Sequence, residues 1–215
     1  ANGNGVGDAC VTARVGSFTT GLTHVAGAGS DRLLVFMVGY ENGTDIAVGT
    51  VKYGGQSLTR INGKAAGTTS IARIELWYLK ETGIVAATNG TFVVTYGAAT
   101  PTTQHFAAAT YRNVDQTAPI GASSVNSTNA STPNPLPTSV AVTADGVAVG
   151  AAISGDTGSF LWNNGWTEGT DQSLTSSTST SADHPVPATG TDTASATNSI
   201  QKRQAIVAAS LSVAH

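Results

Sequence analysis

The stretch Arg32-Leu33-Leu34-Val35-Phe36-Met37-Val38-Gly39-Tyr40 decides the fold of this chain. Its apolar side chains fall on both alternations of an extended backbone, so a strand formed by it would be apolar on both faces. That pattern is typical of a central strand that is covered on two sides. Further along, Tyr53-Gly54-Gly55-Gln56 predicts a tight turn, because paired glycines supply the positive φ angles that hairpin turns need.

The rest of the chain repeats short runs of β-branched and aromatic residues, separated by Gly, Asn and Asp. Further strands are predicted at residues 11–15, 46–53, 57–61, 71–80, 91–96, 105–112, 139–144, 146–154 and 204–213. Residues 71–80 and 91–96 are expected to have one solvated face. Segments 123–138 and 173–199 are rich in small polar residues and indicate loops, with at least one further strand in the second. We predict an all-β fold, a two-sheet antiparallel β-sandwich of jelly-roll-like type with about ten strands.

Composition limits both the size and the partners of the protein. The chain has 215 residues, 40% of them hydrophobic, which favours one domain with one core. Only 11% of the residues are charged, against about 25% in an ordinary soluble domain. The net charge is −3, with 10 Lys and Arg residues spread along the chain. Neither nucleic acid nor an anionic membrane is therefore an expected partner, and no apolar run approaches the ~20 residues that span a bilayer.

The first residues, Ala1-Asn2-Gly3-Asn4-Gly5-Val6-Gly7-Asp8-Ala9-Cys10, form a glycine-rich arm. We divide the chain into this arm, residues 1–15, which ends in an extension strand, and a single β-sandwich domain, residues 16–215. Ala1 in place of an initiator Met is consistent with removal of a signal peptide, so an exported, extracellular protein is expected.

Two features of this secreted-type sequence concern covalent chemistry. Cys10 is the single cysteine; it is interpreted either as a small buried apolar residue or as a thiol that pairs between chains. Sequons for N-glycosylation begin at Asn42, Asn89, Asn126 and Asn129.

Catalytic signatures are sparse. The four histidines, His24, His105, His184 and His215, lie in no recognisable nucleophile or acid–base motif. Glu75 is interpreted as a cross-strand partner of Arg or Lys. We therefore expect no enzymatic activity and no cofactor. The loop carboxylates that could hold a structural calcium ion are Asp156, Asp171, Asp183 and Asp192.

A ligand platform is a second interpretation of the aromatic residues. Trp162 and Trp166 lie four residues apart in Phe160-Leu161-Trp162-Asn163-Asn164-Gly165-Trp166. If exposed, they could stack on sugar rings. If buried, they would close one end of the sandwich, because large aromatic side chains dominate core burial.

Four motifs carry a resemblance to a known family. They are Arg32-Leu33-Leu34-Val35, Val51-Lys52-Tyr53-Gly54-Gly55-Gln56-Ser57-Leu58-Thr59, Glu75-Leu76-Trp77-Tyr78-Leu79 and Asn113-Val114-Asp115-Gln116-Thr117-Ala118-Pro119-Ile120. Together with the closing run 205–211, they resemble β-sandwich modules of secreted bacterial surface and adhesin-like proteins. The resemblance covers most of the chain from Asp31 onward and implies an extracellular β-sandwich.

The arm and the sandwich together predict a filament subunit. An open sheet edge can accept a strand from another chain, because its backbone N–H and C=O groups are unpaired. The predicted donor strand comprises Val6, Asp8, Cys10, Val11, Ala13 and Val15, inserted into a sheet of the next identical subunit. The glycines would let the arm thread along that edge. The alternative is a carbohydrate-binding or adhesive module that contacts surface glycans.

Overall fold

The computed structural model describes residues 10–215 of the chain. Within that range the chain forms sixteen strands and one short helix. In chain order they are β1 (Ala13–Thr20), β2 (Leu33–Asn42), β3 (Val48–Tyr53), β4 (Gln56–Ser57), β5 (Thr59–Ala66), β6 (Ile71–Lys80), α1 (Glu81–Ala86), β7 (Phe92–Tyr96), β8 (Thr103–Arg112), β9 (Ile120–Thr128), β10 (Leu136–Val142), β11 (Val147–Ser154), β12 (Phe160–Trp162), β13 (Thr167–Leu174), β14 (Ser177–Pro185), β15 (Gly190–Asn198) and β16 (Gln204–Leu211).

The strands form four antiparallel sheets. Sheet I has the order β1-β8-β2-β6-β5, and sheet II has the order β4-β3-β7. Sheet III has the order β9-β16-β11-β14-β13, and sheet IV has the order β10-β15-β12. The predicted all-β antiparallel sandwich is confirmed, but with four sheets and sixteen strands in place of two sheets and about ten strands.

Three clusters of buried apolar side chains hold the sheets together as four layers. One lies between sheets I and II, one between sheets I and III, and one between sheets III and IV. Strand β2 contributes to two of them: Leu33 and Val35 face sheet III, whereas Leu34 and Phe36 face sheet II. The prediction of a central strand covered on both faces is therefore confirmed.

Strand β6 does not have the solvated face that its alternation predicted. Leu76 packs between sheets I and III, and Trp77 packs between sheets I and II. Glu75 is only 2% exposed and accepts hydrogen bonds from Arg60, Arg73 and the Trp77 indole. Its Arg partners were expected, but its burial was not. A polar side chain within a strand is thus compatible with two covered faces when ion pairs satisfy it.

The two halves of the chain repeat one architecture. Sheet I, β1-β8-β2-β6-β5, matches sheet III, β9-β16-β11-β14-β13, strand for strand in chain order. In the covering sheets, β3 pairs with β7 just as β12 pairs with β15. We call sheets I and II the amino-terminal unit and sheets III and IV the carboxyl-terminal unit. The units pack through their five-stranded sheets.

Strand β14 lies inside sheet III, between β11 and β13, although its sequence is Ser177-Thr178-Ser179-Thr180-Ser181-Ala182-Asp183-His184-Pro185. Its hydroxyls are satisfied internally: Thr180 Oγ1 donates to the carbonyl of Thr170 at 2.7 Å, and Ser181 Oγ lies 2.5 Å from Thr170 Oγ1. The segment 173–199, predicted as mainly loop, therefore contains the whole of strands β14 and β15, which agrees with the expectation of at least one strand. Buried hydroxyl groups are stable in a strand when they find such partners.

The strand register defines two poles of the amino-terminal unit. At one pole Leu33 pairs with Tyr111, and Ala13 pairs with Arg112. We call it the Asn113 pole. At the other end of the same sheet Glu41 pairs with Thr103; we call this the Thr103 pole.

Candidate assembly interface

The described chain is anchored from Val11 onward at the Asn113 pole. The Thr12 backbone N–H donates to the carbonyl of Asp145 at 2.8 Å, and its hydroxyl donates to the carbonyl of Asn113 at 3.1 Å. The Asn113 side-chain amide in turn donates to the carbonyl of Val11 at 2.9 Å. Thr12 is 1% exposed. These contacts fix the position and direction of the chain where it enters strand β1.

The carboxyl-terminal residues meet the same asparagine. The Ala214 N–H donates to the carbonyl of Asn113 at 3.0 Å, and Val213 forms a β-bridge with Val114. Asn113 has a φ of +58°, a left-handed conformation that Asn tolerates better than most residues. It lies in the corner motif 113–120, but its contact with both ends of the described chain had no signal in the sequence.

Strand β1 is also tied to the carboxyl-terminal unit. Arg14 Nη1 lies 2.8 Å from Asp183 Oδ2, and the Tyr111 hydroxyl donates to the same oxygen at 2.9 Å. Asp183 is 5% exposed, and burial raises the pKa of its carboxyl group while the Arg14 charge counteracts that shift. The guanidinium of Arg14 also lies over the Phe18 ring, 4.9 Å from its centroid. Strand β1 thus joins the two units.

Replacement of Arg14 by Met is expected to lower the free energy of unfolding by about 1–2 kcal/mol, because Asp183 loses a charged partner while remaining buried. Urea unfolding measures the loss. The control is Arg112→Met at an exposed position of the neighbouring strand, where a change within ~0.5 kcal/mol is expected. Equal effects of the two substitutions would contradict a specific Arg14–Asp183 contribution.

The predicted donor residues lie in three places: outside the described residues, at the Asn113 pole, and in strand β1. Val6 and Asp8 lie outside the described residues. Cys10 and Val11 are exposed at the Asn113 pole, Val11 at 49%; the interpretation of Cys10 as a buried apolar residue is therefore wrong.

Ala13 and Val15 are a correction to the donor-strand prediction. Within the chain they belong to strand β1 and pair with Arg112 and Thr110 of its own strand β8. The physical reason is the fit of this strand: a Cβ on Gly27 would come within 2.4 Å of the Val15 side chain, so the two backbones pack closely only because residue 27 is Gly. The arm therefore ends before Ala13.

Trp162 and Trp166 do not form an exposed platform. They are 6% and 5% exposed, stack on each other with ring centroids 5.3 Å apart, and belong to the cluster between sheets III and IV. Gly150 on strand β11 makes room for them, since a Cβ there would come within 3.0 Å of Trp162. The alternative that they close the sandwich agrees with the structure, and the sugar platform built on them is wrong.

Two histidines are buried between hydroxyl groups. His105 Nε2 lies 2.8 Å from Ser177 Oγ, and its Nδ1 lies 2.9 Å from Ser179 Oγ. Burial lowers the pKa of His105 to about 4. His24 lies 2.8 Å from Thr19 Oγ1, and burial lowers its pKa as well. The described hydrogen-bond partners of these two imidazoles are hydroxyl groups, whereas the histidine of a catalytic triad is oriented by a carboxylate.

The four candidate calcium ligands lie apart, each with its own partner. Asp183 binds Arg14, Asp192 Oδ2 lies 2.9 Å from His184 Nδ1, and Asp171 accepts a hydrogen bond from the Phe160 N–H. Asp156 lies 3.8 Å from Lys202 Nζ. Across residues 10–215 no group of three His, Cys, Asp or Glu side chains converges on a position suited to a metal ion. Nor does that range contain a helix long and apolar enough to cross a membrane.

Comparisons of the chain with protein-family models, with curated proteins and with solved structures gave no match. Function is therefore inferred from the fold and from the contacts at the Asn113 pole.

Proposed function

We propose that this protein is a structural subunit of an extracellular filament, in which residues 1–9 of one subunit add as a strand to the next subunit. The observation that carries the proposal is the anchoring of Val11 and Thr12. It gives the nine residues before Cys10 a fixed starting point at the Asn113 pole of the sandwich. A contact between the arm at one pole and a site elsewhere on the next copy is head-to-tail, and such contacts generate open fibres.

The surface composition supports close packing of subunits. With 11% charged residues and a net charge of −3, repulsion between identical subunits is weak. The resemblance to secreted surface modules also supports an extracellular location.

Deletion of residues 1–9 tests the proposal. The parent chain is expected to form fibres in electron microscopy, whereas the deletion variant is expected to remain monomeric with an unchanged urea midpoint, because every contact described for Val11 and Thr12 is retained. Fibres of normal length from the deletion variant, or a parent chain that does not assemble, would refute the proposal.

A matched pair of substitutions separates the apolar contact of the arm from its charge. Val6→Asp is expected to abolish assembly, because it puts a carboxylate in place of the one β-branched side chain among residues 1–9. Asn4→Asp adds the same charge at a position that is already polar, and assembly is expected to persist. Loss of assembly in both variants would attribute the effect to charge alone.

A further inference from the structure

Three sheet edges lie together on one side of the sandwich. Strands β5, β9 and β10 each end the order of a sheet, so among the described residues each has one side without a partner strand. The Asn62 side-chain amide on β5 donates to Ser123 Oγ on β9 at 3.1 Å. The Asn126 side-chain amide on β9 donates to the Pro137 carbonyl on β10 at 2.8 Å. We call this the three-edge side; edges of this kind offer backbone N–H and C=O groups to strands of other copies.

The register of sheet I turns the Gly63 N–H away from the neighbouring strand β6. The Gly21 N–H donates to the Phe106 carbonyl, and this bond fixes which backbone groups of β8 face β1 and which face β2. Carried through the pairings of β8 with β2, β2 with β6 and β6 with β5, the alternation directs the backbone groups of Asn62 to β6 and those of Gly63 outward. Asn62 Oδ1 accepts a hydrogen bond from this outward N–H at 2.9 Å. The side chain of an edge residue therefore occupies the donor that an added strand would use.

The same arrangement recurs on β9, the edge strand of sheet III. The Gly155 N–H donates to the Arg203 carbonyl, which fixes the alternation along β16. The pairings of β16 then direct the backbone groups of Asn126 to β16 and those of Ser127 outward. Asn126 Oδ1 accepts a hydrogen bond from the Ser127 N–H at 2.8 Å, while its Nδ2 is bonded to the Pro137 carbonyl. One asparagine therefore satisfies backbone groups of two sheet edges.

A third asparagine closes the end of β5 at the Thr103 pole. Asn129, directly after β9, accepts a hydrogen bond from the Gly67 N–H, directly after β5, at 2.7 Å. Ala65 is the outward residue between Gly63 and Gly67, so a strand that paired with it would have to displace an asparagine side chain on either side. Lys64 on the same strand is exposed, and charged side chains, lysine above all, oppose pairing at natural sheet edges.

We infer that Asn62, Asn126 and Asn129 close the three-edge side to strand addition, so that copies of this chain do not join sideways through their sheets. An added strand would have to break the hydrogen bonds of these side chains in order to form its own, and such an exchange brings little net free energy. Assembly is thereby left to other contacts, such as the proposed one through residues 1–9. The closure acts on unassembled copies as well, so it does not depend on the filament.

Removal of two of these side chains tests the closure. Asn62→Ala and Asn126→Ala are combined in the full-length Val6→Asp chain, which is not expected to form fibres, and are compared with Val6→Asp alone. The average mass in light scattering is expected to rise about two-fold or more across a concentration series, because the uncovered edges pair. The control is Asn89→Ala in the same background, since Asn89 Oδ1 accepts a hydrogen bond from the Thr91 N–H at 3.0 Å in the loop before β7. An unchanged mass for the double variant, or an equal rise for the control, would overturn the inference.

Hydrogen exchange in dilute protein measures the asparagine contacts directly. The Gly63 amide is expected to exchange about 10-fold or more faster in Asn62→Ala than in the parent, and the Ser127 amide likewise in Asn126→Ala, because each loses its hydrogen-bond acceptor. Asn62→Asp retains an acceptor oxygen and is expected to keep the parent rate at Gly63. Equal exchange of Gly63 in the parent and in Asn62→Ala would show that its N–H is open to an added strand, and would refute the closure whether or not the chain forms fibres.

Discussion

Replacement of Trp162 by Ala is expected to lower the free energy of unfolding by about 3–5 kcal/mol, the cost of emptying a buried aromatic site. Trp162 is 6% exposed, and its indole N–H donates to Thr180 Oγ1 at 2.8 Å. Its ring stacks on Trp166 in a space that Gly150 keeps free. The substitution therefore removes apolar contact area and a hydrogen bond together. Urea unfolding followed by far-UV circular dichroism measures the change.

The control is the preceding residue in the same strand. Leu161 is 66% exposed on the outer face of β12, so Leu161→Ala is expected to change stability by no more than ~0.5 kcal/mol. A loss below about 1 kcal/mol for Trp162→Ala would contradict its burial between sheets III and IV, and would return the sugar platform to consideration.

The sequence predicts those strands whose side chains alternate or are uniformly apolar. Residues 32–40 and 71–80 match β2 and β6 closely, and the glycine pair at Gly54 and Gly55 forms the predicted turn with φ values of +51° and +87°. Strand β14 lies in a segment whose composition indicates loop, because Ser and Thr hydroxyls are satisfied equally well by water or by each other. Only the strands that flank β14 in the fold determine whether its hydroxyl groups bond to water or to each other.

The sequence also contains the information needed to predict more than two layers. A strand that is apolar on both faces, as residues 32–40 are, needs a covering layer on each side, which is one layer more than a two-sheet sandwich provides. The internal repeat is faint, since it rests on pairs such as Asn89-Gly90-Thr91 and Thr189-Gly190-Thr191. It became evident only from matching sheet orders.

The contacts of the candidate interface could not be predicted in the same way. Arg14 and Asp183 are 169 residues apart in the chain, and neither lies in a motif that points to the other. The difference between the two units at β10 is harder still to predict, because the described part of the amino-terminal unit has only the Thr23–Thr91 bridge in that place. The periodicity of a segment predicts its own secondary structure, but it does not predict which strand pairs with that segment.

Acidification from pH 7 to pH 4 is expected to lower the free energy of unfolding by about 3 kcal/mol through His105 alone. The unfolded chain binds a proton at an ordinary pKa of 6.5, whereas burial between sheets I and III lowers the pKa of folded His105 to about 4. Between these two pKa values the unfolded state holds more protons than the folded state. The free energy of unfolding therefore decreases by ~1.4 kcal/mol for each unit by which the pH is lowered. The loss is complete once folded His105 is protonated.

Other titratable groups also change how the free energy of unfolding depends on pH. The measured quantity is therefore the difference in that free energy between two proteins. His24, with its lowered pKa, acts in the same direction as His105, and Asp183, with its raised pKa, acts in the opposite direction. Comparison of the parent with His105→Gln removes both contributions, because Gln retains hydrogen-bonding atoms for Ser177 and Ser179 but does not titrate. Urea midpoints at each pH from 7 to 4 are expected to converge as the pH falls, since only the parent loses the His105 contribution. Parallel pH profiles for the two proteins would show that His105 is hydrated in the folded state.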